Sequence, residues 1–265
     1  MIELKNLSRR FDDFDVFTGV NAKLANGKIF VLYGEAGVGK TVLMRLLSGV
    51  LAPNEGDVRI NGFSVVTDLR KCKPLFGYAP ESFAGDPFMT PYEYLRFIAG
   101  VKGIESETAS RQIRELSELL HLDPVKDTPL CKLPPEVRAY VNFGQALLGN
   151  PDFLFLDDPA RGLGSLETRE LYSLLENLKG KKTIVLALTD PEPAAFLADE
   201  FLCLRDGTLE SFGSLSEDPC RDGTEDGELP AAPEPDAPGA EETETPEDAP
   251  DSDGNECEKD GEETA

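Results

Sequence analysis

The eight residues GEAGVGKT, at positions 34–41, constrain the fold of this chain more than any other segment. They match the pattern G-x-x-x-x-G-K-[ST]. They lie between the apolar run KIFVLYG, which predicts a buried strand, and KTVLMRLLSGVL, which predicts a helix. The glycines allow successive N–H groups to turn towards a phosphate, and the positive end of the following helix adds to the attraction. The sequence therefore predicts a phosphate-binding loop between a strand and a helix.

Two residues of this loop and one later acid are candidates for binding a nucleotide with its metal ion. Lys40 would reach the outer phosphates, and the Thr41 hydroxyl would ligate magnesium. Downstream, FLFLDD puts Asp157 at the carboxyl end of a predicted strand, beside the phosphate loop in sheets of this kind, where it would hold magnesium through water. The predicted phosphate-binding residues are Gly34, Glu35, Ala36, Gly37, Val38, Gly39, Lys40 and Thr41.

Strand-like and helix-like segments alternate over most of the chain. The apolar strand patterns PLFGYAP, DFLFLDD and KTIVLAL are separated by helical patterns, and a last helical pattern, EPAAFLAD, falls at 192–199. Near-continuous apolar strands of this kind predict a parallel sheet with helices on both faces. The predicted fold class is therefore α/β, with a mostly parallel sheet flanked by helices.

Two regions are predicted to be additions to that sheet. The first thirty residues alternate polar and apolar types, which predicts an antiparallel β subdomain with a hairpin turn at Asn26 and Gly27. Residues 83–150 contain three helical patterns and predict an all-helical insert; the first pattern has a capping box of Thr90 and Glu93.

The acidic charge is concentrated at the C-terminal end. The formal net charge is −24, and from Glu217 onward there are 20 acidic residues against Arg221 and Lys259. We expect a body at 1–215 and an acidic, disordered tail at 216–265 that has almost nothing to bury. The body has no basic stripe, so no nucleic-acid partner is expected. No segment has the apolar core of a signal peptide or the roughly 18 apolar residues of a membrane span, which predicts a cytoplasmic protein.

Histidine and cysteine chemistry is not predicted. His121 is the single histidine, near the end of a predicted helix, where capping or packing is its common role. The five cysteines have no zinc or CxxC spacing. Neither a Ser-His-Asp triad nor a metal-thiolate centre is therefore expected.

With these motifs in this order, the chain resembles the ATP-binding subunit of ABC transporters over residues 1–215. The segment LLGNPDFLFLDDP is similar to the family's ALLxxPxxLxLDEP segment. The resemblance implies an ABC-type P-loop NTPase fold, with ATP and Mg²⁺ as cofactors. It also implies a homodimer, or a heterodimer with another ABC ATP-binding subunit, and a membrane permease on another chain. That permease would hold the subunit at the inner face of the membrane.

The resemblance gives roles to three more residues. Phe11 falls where the family stacks an aromatic ring on adenine, and packing at a β edge is an equally common role for such a ring. Val42 replaces a second Ser or Thr of the phosphate loop, which removes one phosphate contact. Glu81, in FGYAPE, stands where the family has Gln. It is a candidate to approach magnesium or to activate water, and a solvated loop acid is the alternative.

The segment LPPEV, residues 133–137, occupies the place of the family's LSGGQ signature. That signature offers a Ser hydroxyl and backbone amides to the γ-phosphate bound by the partner subunit. Here Pro134 and Pro135 have no N–H donors, the hydroxyl is absent, and Glu136 adds a negative charge. The segment is expected to begin a helix without sensing ATP.

Three further positions depart from the family's catalytic motifs. Asp158 replaces the Glu that polarises the attacking water and is one methylene shorter, although it remains the candidate base. Thr189 replaces the switch His, and Gly164 replaces an Asp. We therefore hypothesise an ABC ATP-binding subunit that binds Mg-ATP and hydrolyses it slowly or not at all. The alternatives are a non-enzymatic regulatory or assembly protein on this fold, and a soluble ABC-type ATPase of repair or translation.

Overall fold

The structure is a computed structural model that describes residues 1–12, 14–83 and 85–218. The chain divides into a unit of residues 1–221 and a unit of residues 222–265, and the elements below belong to the first. The described strands are β1 (Ile2–Phe11), β2 (Phe14–Leu24), β3 (Ile29–Tyr33), β4 (Glu55–Ile60), β5 (Phe63–Ser64), β6 (Phe76–Ala79), β7 (Phe153–Asp157), β8 (Thr183–Ala187), β9 (Glu200–Arg205) and β10 (Thr208–Phe212). The described α-helices are α1 (Lys40–Leu47), α2 (Leu69–Cys72), α3 (Pro91–Val101), α4 (Ser106–Leu119), α5 (Pro135–Leu147) and α6 (Ser165–Glu176).

Six strands form the central sheet, in the order β10-β9-β3-β8-β7-β6. The neighbouring strands run parallel, except for the antiparallel hairpin of β9 and β10. Every residue of β3, β7 and β8 is buried, as expected for strands that are covered on both faces. The predicted α/β fold class, a mostly parallel sheet flanked by helices, is confirmed.

A second, antiparallel sheet has the order β2-β1-β4-β5 and is the predicted antiparallel β subdomain. The hairpin predicted at Asn26 and Gly27 is wrong, because this turn joins β2 to β3 and those strands lie in different sheets. The hairpin partners are instead β1 and β2, which meet where Phe11 pairs with Phe14. An Asn-Gly dipeptide specifies a tight turn, whereas the burial of each strand decides which strands pair.

Helices α3, α4 and α5 lie within the range predicted for the helical insert. The capping box of α3 is confirmed: the Glu93 N–H donates to the Thr90 hydroxyl at 3.3 Å, and the Thr90 N–H donates to the Glu93 carboxylate at 2.9 Å. Helix α5 packs closely on β6, since a Cβ at Gly77 would lie 1.8 Å from the Ala146 carbonyl oxygen. Within residues 1–218, no described helix combines the length and apolar character needed to cross a membrane.

The α-helix predicted at 192–199 is wrong. Only Glu192–Ala194 form a turn, of the 3₁₀ type, and the Phe196 side chain is 58% exposed. Pro191 and Pro193 supply no N–H donors, and only a few residues separate them from the start of β9. The segment is therefore too short, and too poor in donors, to propagate an α-helix.

Buried contacts continue past the predicted end of the body. A 3₁₀ turn at Leu215–Glu217 is followed by Asp218, which is 1% exposed. The Tyr33 hydroxyl donates to the Asp218 carboxylate at 2.8 Å, and the Arg205 guanidinium lies 3.3 Å from the same oxygen. The expectation that the tail has almost nothing to bury is therefore wrong for Asp218. The remainder of the predicted tail, 219–265, lies outside the described residues.

Candidate nucleotide-binding site

The phosphate loop connects β3 to α1 at the carboxyl edge of the central sheet. Gly34, Gly37 and Gly39 have φ values of 153°, 82° and 111°, which L side chains rarely adopt. A Cβ at Gly34 would lie 2.3 Å from the Leu204 carbonyl oxygen, and a Cβ at Gly39 would lie 2.5 Å from a Val16 methyl carbon. The backbone of this loop therefore requires glycine at both positions, as the motif predicts.

Lys40 folds back over its own loop. Its ammonium group donates to the Gly34 carbonyl at 2.8 Å and to the Glu35 carbonyl at 2.9 Å. Burial lowers the pKa of Lys40, and the nearby carboxylates of Asp157 and Asp158 act in the opposite direction. The cation is thus held at the loop by weak carbonyl acceptors, which a phosphate group can replace.

Thr41 and Asp157, the two residues of the candidate metal site, contact each other. The Thr41 hydroxyl donates to one carboxylate oxygen of Asp157 at 3.2 Å. The other oxygen, Oδ2, is buried and has no hydrogen-bond partner among the described residues. Burial raises the pKa of Asp157, the Thr41 hydrogen bond lowers it, and Asp158 raises it further. A buried carboxylate oxygen without a partner, beside a hydroxyl, fits a hard divalent cation such as Mg²⁺.

Asp158 follows directly at the mouth of the site. Its φ is 45°, in the left-handed region that Asp tolerates better than most residues, and its N–H donates to the Ala187 carbonyl at 2.9 Å. Burial raises the pKa of its carboxyl group, and Lys40 lowers it. Asp158 is thus anchored between β7 and β8 through its backbone, with its side chain on the cavity.

One cavity of about 560 Å³ brings most of the candidate residues together. Glu81, which follows β6, lies on its wall and forms an ion pair with the Arg161 guanidinium. Thr189 also reaches the cavity and is exposed. The cavity is lined by Ala36, Gly37, Gly39, Lys40, Thr41, Val42, Glu81, Asp157, Asp158, Arg161, Ala187, Leu188 and Thr189.

The family comparison agrees with this geometry. The family model described as "ABC transporter" matches residues 17–161, which include the phosphate loop, the helical insert and the end of β7. The chain belongs to the ABC transporter family. Within that family it is an ATP-binding cassette domain.

Relatives of this ABC domain include much longer proteins. It is 29% identical to "ATP-binding cassette sub-family A member 9" of Homo sapiens over 80% of this chain and 14% of that protein. It is 28% identical to "Probable multidrug ABC transporter ATP-binding protein YbhF" of Escherichia coli over 81% of this chain and 37% of that protein. The spermidine/putrescine import ATP-binding protein PotA of Oleidesulfovibrio alaskensis is 28% identical over 82% of this chain and 58% of its own length. The chain thus spans less than two thirds of each of these relatives.

Solved structures share the fold of this ABC domain. A dimeric, post-hydrolysis structure of the ATP-binding cassette MJ0796, bound to ADP and Pi, superposes with a TM-score of 0.73 at 21% identity, over 80% of this chain and 98% of that one. The ATP binding subunit of an ABC transporter gives a TM-score of 0.74 at 24% identity, over 82% of this chain and 90% of that one. These likenesses support the same ABC-type P-loop fold that the sequence predicts.

The segment at the ABC signature position begins a helix, as expected. Pro134 is the N-cap of α5 and Pro135 is its first residue, and both are exposed, whereas Leu133 is buried. Glu136 lies in the first turn. None of these four residues lines the cavity of this chain, and Gly164 stands apart from it as the N-cap of α6.

Four other predicted contacts also lie outside the cavity lining; one of them, Gly34, contributes its carbonyl oxygen to the Lys40 ammonium group. Phe11 is 41% exposed, and the Arg9 guanidinium lies 4.2 Å from the centroid of its ring. Glu35 contributes its carbonyl oxygen to Lys40, and Val38 packs against the hydrophobic core. Their side chains therefore do not reach the space that Lys40 and Thr41 border.

Arg161 is the charged residue of the cavity lining that sequence reasoning missed. It follows Asp158 by three residues, in a turn closed by the hydrogen bond from the Arg161 N–H to the Asp158 carbonyl at 3.0 Å. Its partner Glu81 lies far away in sequence, after a different strand. The only local signal was a basic residue shortly after the paired acids, which by itself does not predict a contact across the cavity.

Proposed function

We propose that this chain is the ATP-binding subunit of an ABC transporter that binds Mg-ATP, hydrolyses it slowly or not at all, and couples to a permease on another chain. The observation that carries the proposal is that one cavity contains Lys40, Thr41 and Asp157 beside a loop with the required glycine geometry. These residues supply a phosphate cradle, a cation and a metal site. An ATP triphosphate with its Mg²⁺ ion is the ligand that needs all three.

Binding would change the partners of the loop residues. The Lys40 ammonium group would leave the carbonyl oxygens of Gly34 and Glu35 for the outer phosphates, which are stronger acceptors because they are charged. Thr41 and Asp157 would hold Mg²⁺, which would supply positive charge against the phosphates. The unpartnered Oδ2 atom of Asp157 would then gain a compensating charge or a bound water.

Slow or absent hydrolysis is supported by what the site lacks. Asp158 is the acid next to the metal site, and its side chain is shorter than the Glu of the ABC motif; a displacement of about 1 Å can cost on the order of a hundredfold in rate. Thr189 offers a hydroxyl where the family has a His. Pro134 and Pro135 provide no N–H groups to a partner's phosphate. Each difference removes a group that the family places at the γ-phosphate or at the attacking water, and so weakens stabilisation of the transition state.

Family membership supports a proposal about the partners. We propose a dimer with a second ABC ATP-binding subunit, identical or not, and an integral-membrane permease that holds the subunit at the cytoplasmic face of the membrane. The relatives YbhF and PotA, named as ATP-binding proteins of a multidrug ABC transporter and of spermidine/putrescine import, support a transport role of this kind. The transported substrate belongs to the permease and is not part of this proposal.

Equilibrium binding of Mg-ATP to the full chain tests the nucleotide part of the proposal. Lys40→Ala is expected to weaken ATP binding by a factor of ten or more, because it removes the cation at the outer phosphates. Lys181→Ala is the matched control, because Lys181 is exposed and does not line the cavity. Equal affinities of the wild-type chain and Lys40→Ala would contradict the proposal.

Affinity capture from membranes solubilised in detergent tests the permease part. Recovery of a protein with several membrane spans, reduced or enhanced by Mg-ATP, is the expected outcome. Capture of a soluble partner, with a recovery that neither nucleotide nor Lys40→Ala changes, would instead support the regulatory or assembly role.

A further inference from the structure

The nucleotide cavity contains a second cation whose role the phosphate loop does not explain. Among the described residues that line the cavity, Lys40 and Arg161 are the basic ones, and Glu81, Asp157 and Asp158 are acidic. Arg161 already has an anionic partner, because its guanidinium forms an ion pair with Glu81. The side chains of Arg161 and Glu81 are 63% and 32% exposed, so the pair stands at the mouth of the cavity in contact with solvent.

The two members of this pair come from neighbouring parallel strands. Glu81 follows β6, Arg161 follows β7, and β6 pairs with β7 along the sheet. The turn that carries Arg161 is closed by its N–H bond to the Asp158 carbonyl, so its backbone is held beside the candidate metal site while its long side chain extends over the cavity. A rotation of that side chain alone can therefore exchange one anionic partner for another.

We propose that Arg161 is a γ-phosphate-binding residue that Glu81 holds in the absence of ATP. The inference rests on the proposed function, since it requires ATP in this cavity. A guanidinium forms two parallel hydrogen bonds to a phosphate, and a triphosphate carries more charge than one partly exposed carboxylate. ATP binding then moves the guanidinium from Glu81 to the terminal phosphate.

Glu81 sets the affinity in this scheme. While Glu81 is paired with Arg161, the negative charge of Glu81 is neutralised. When Arg161 moves to the terminal phosphate, that charge is left unpaired and faces the nucleotide. The pair therefore weakens ATP binding relative to a site with a neutral residue at position 81. It also makes binding selective for ATP over ADP, because ADP has no γ-phosphate for Arg161 to reach.

The dissociation constants of Mg-ATP and Mg-ADP, measured on the full chain, test this inference. Arg161→Ala is expected to weaken ATP binding about tenfold and ADP binding by clearly less, because ADP loses only the neutralisation of Glu81. Glu81→Gln is expected to tighten ATP binding several-fold, because it releases Arg161. Arg169→Ala, an exposed arginine of α6 outside the cavity lining, is the matched control and should change neither constant.

The double variant Glu81→Gln/Arg161→Ala separates phosphate binding from simple neutralisation of Glu81. If Arg161 contacts the γ-phosphate, its removal lowers the preference for ATP in the Glu81→Gln background as well. If Arg161 only neutralises Glu81, its removal has no effect once Glu81 is uncharged, and the inference is overturned. Arg161→Lys keeps the positive charge but cannot form two parallel hydrogen bonds, so its preference for ATP over ADP should be intermediate. This variant also provides a second measurement in case Arg161→Ala does not fold.

The outcomes also separate this inference from the proposed function. ATP binding that needs Lys40 but has the same ATP-to-ADP preference with and without Arg161 would overturn this inference alone. No ATP binding by the wild-type chain would overturn both.

Discussion

The Thr41 hydroxyl donates a hydrogen bond to the Asp157 carboxylate at 3.2 Å, which joins the start of α1 to the end of β7 across 116 positions of sequence. The second carboxylate oxygen of Asp157 is buried without a partner among the described residues. A buried carboxylate oxygen without a hydrogen-bond partner lowers the stability of the nucleotide-free protein. That cost is recovered when a cation and its water shell bind beside Asp157.

Asp157→Asn is expected to stabilise the nucleotide-free protein and to abolish its stabilisation by Mg-ATP. The substitution removes a negative charge that burial disfavours, so the Tm of the nucleotide-free protein should rise, by about 2–4 °C for each kcal/mol gained in a domain of this size. It also removes the carboxylate that would hold the ion. Thermal unfolding with and without Mg-ATP checks both effects. Asp152→Asn, an exposed acid just before β7, is the control and should change neither.

Acidification is expected to reduce the stabilisation of the protein by Mg-ATP. This loss should begin at a higher pH than it would if the carboxyl groups at the metal site had ordinary pKa values. Burial raises the pKa of Asp157 and of Asp158 above the usual 3.8, so these groups take up a proton while most exposed carboxylates are still ionised. Because the folded pKa values are raised, protonation favours the folded, nucleotide-free protein and opposes metal binding. The Tm shift produced by Mg-ATP should therefore begin to shrink, as the pH falls, before exposed carboxyl groups take up protons. A shift that stays constant until exposed carboxyl groups titrate would contradict the placement of the ion at these carboxylates.

Asp158→Glu is expected to raise ATP turnover about tenfold and to lower stability slightly. The longer side chain restores the reach of the ABC motif, while a φ of 45° suits Asp and Asn better than Glu, at a cost of up to about 1 kcal/mol. Asp158→Asn is the matched variant, because it keeps shape and backbone preference and removes the base. Turnover that is unchanged in both variants would show that Asp158 does not activate water.

Asp218→Ala is expected to destabilise the body by about 2 kcal/mol, because it removes the carboxylate that accepts from the buried Tyr33 hydroxyl and lies beside Arg205. Tyr33→Phe should cost less, about 1 kcal/mol, since it removes a donor and leaves the carboxylate near the guanidinium. The free energy of unfolding in urea measures both. Glu210→Ala, an exposed acid on β10, serves as the control, and an equal loss in that variant would mean that the Asp218 contacts are not specific.

Features with local signals could be predicted from the sequence. The phosphate loop, the capping box at Thr90 and the acid at the end of β7 each depend on residues within a few positions of one another. The hairpin assigned to Asn26 and Gly27 failed because a turn motif does not say which sheet the next strand joins. The helix at 192–199 failed because two prolines outweigh a short apolar pattern.

Contacts between distant segments could not be predicted in the same way. The ion pair of Glu81 and Arg161 and the hydrogen bond from Tyr33 to Asp218 each join residues that are far apart along the chain. An acid in an acidic segment gives no sign that it is buried. These contacts depend on strand order, which the tertiary structure supplies.

Steady-state ATP turnover by the purified full chain, with Mg-ATP binding measured on the same samples and Lys40→Ala as the blank, tests the central claim most directly. We predict that Mg-ATP binds in a Lys40-dependent manner and that turnover is close to that of the blank. Fast turnover abolished by Lys40→Ala would contradict it, since Asp158 would then be a competent base despite the replaced signature segment and switch residue.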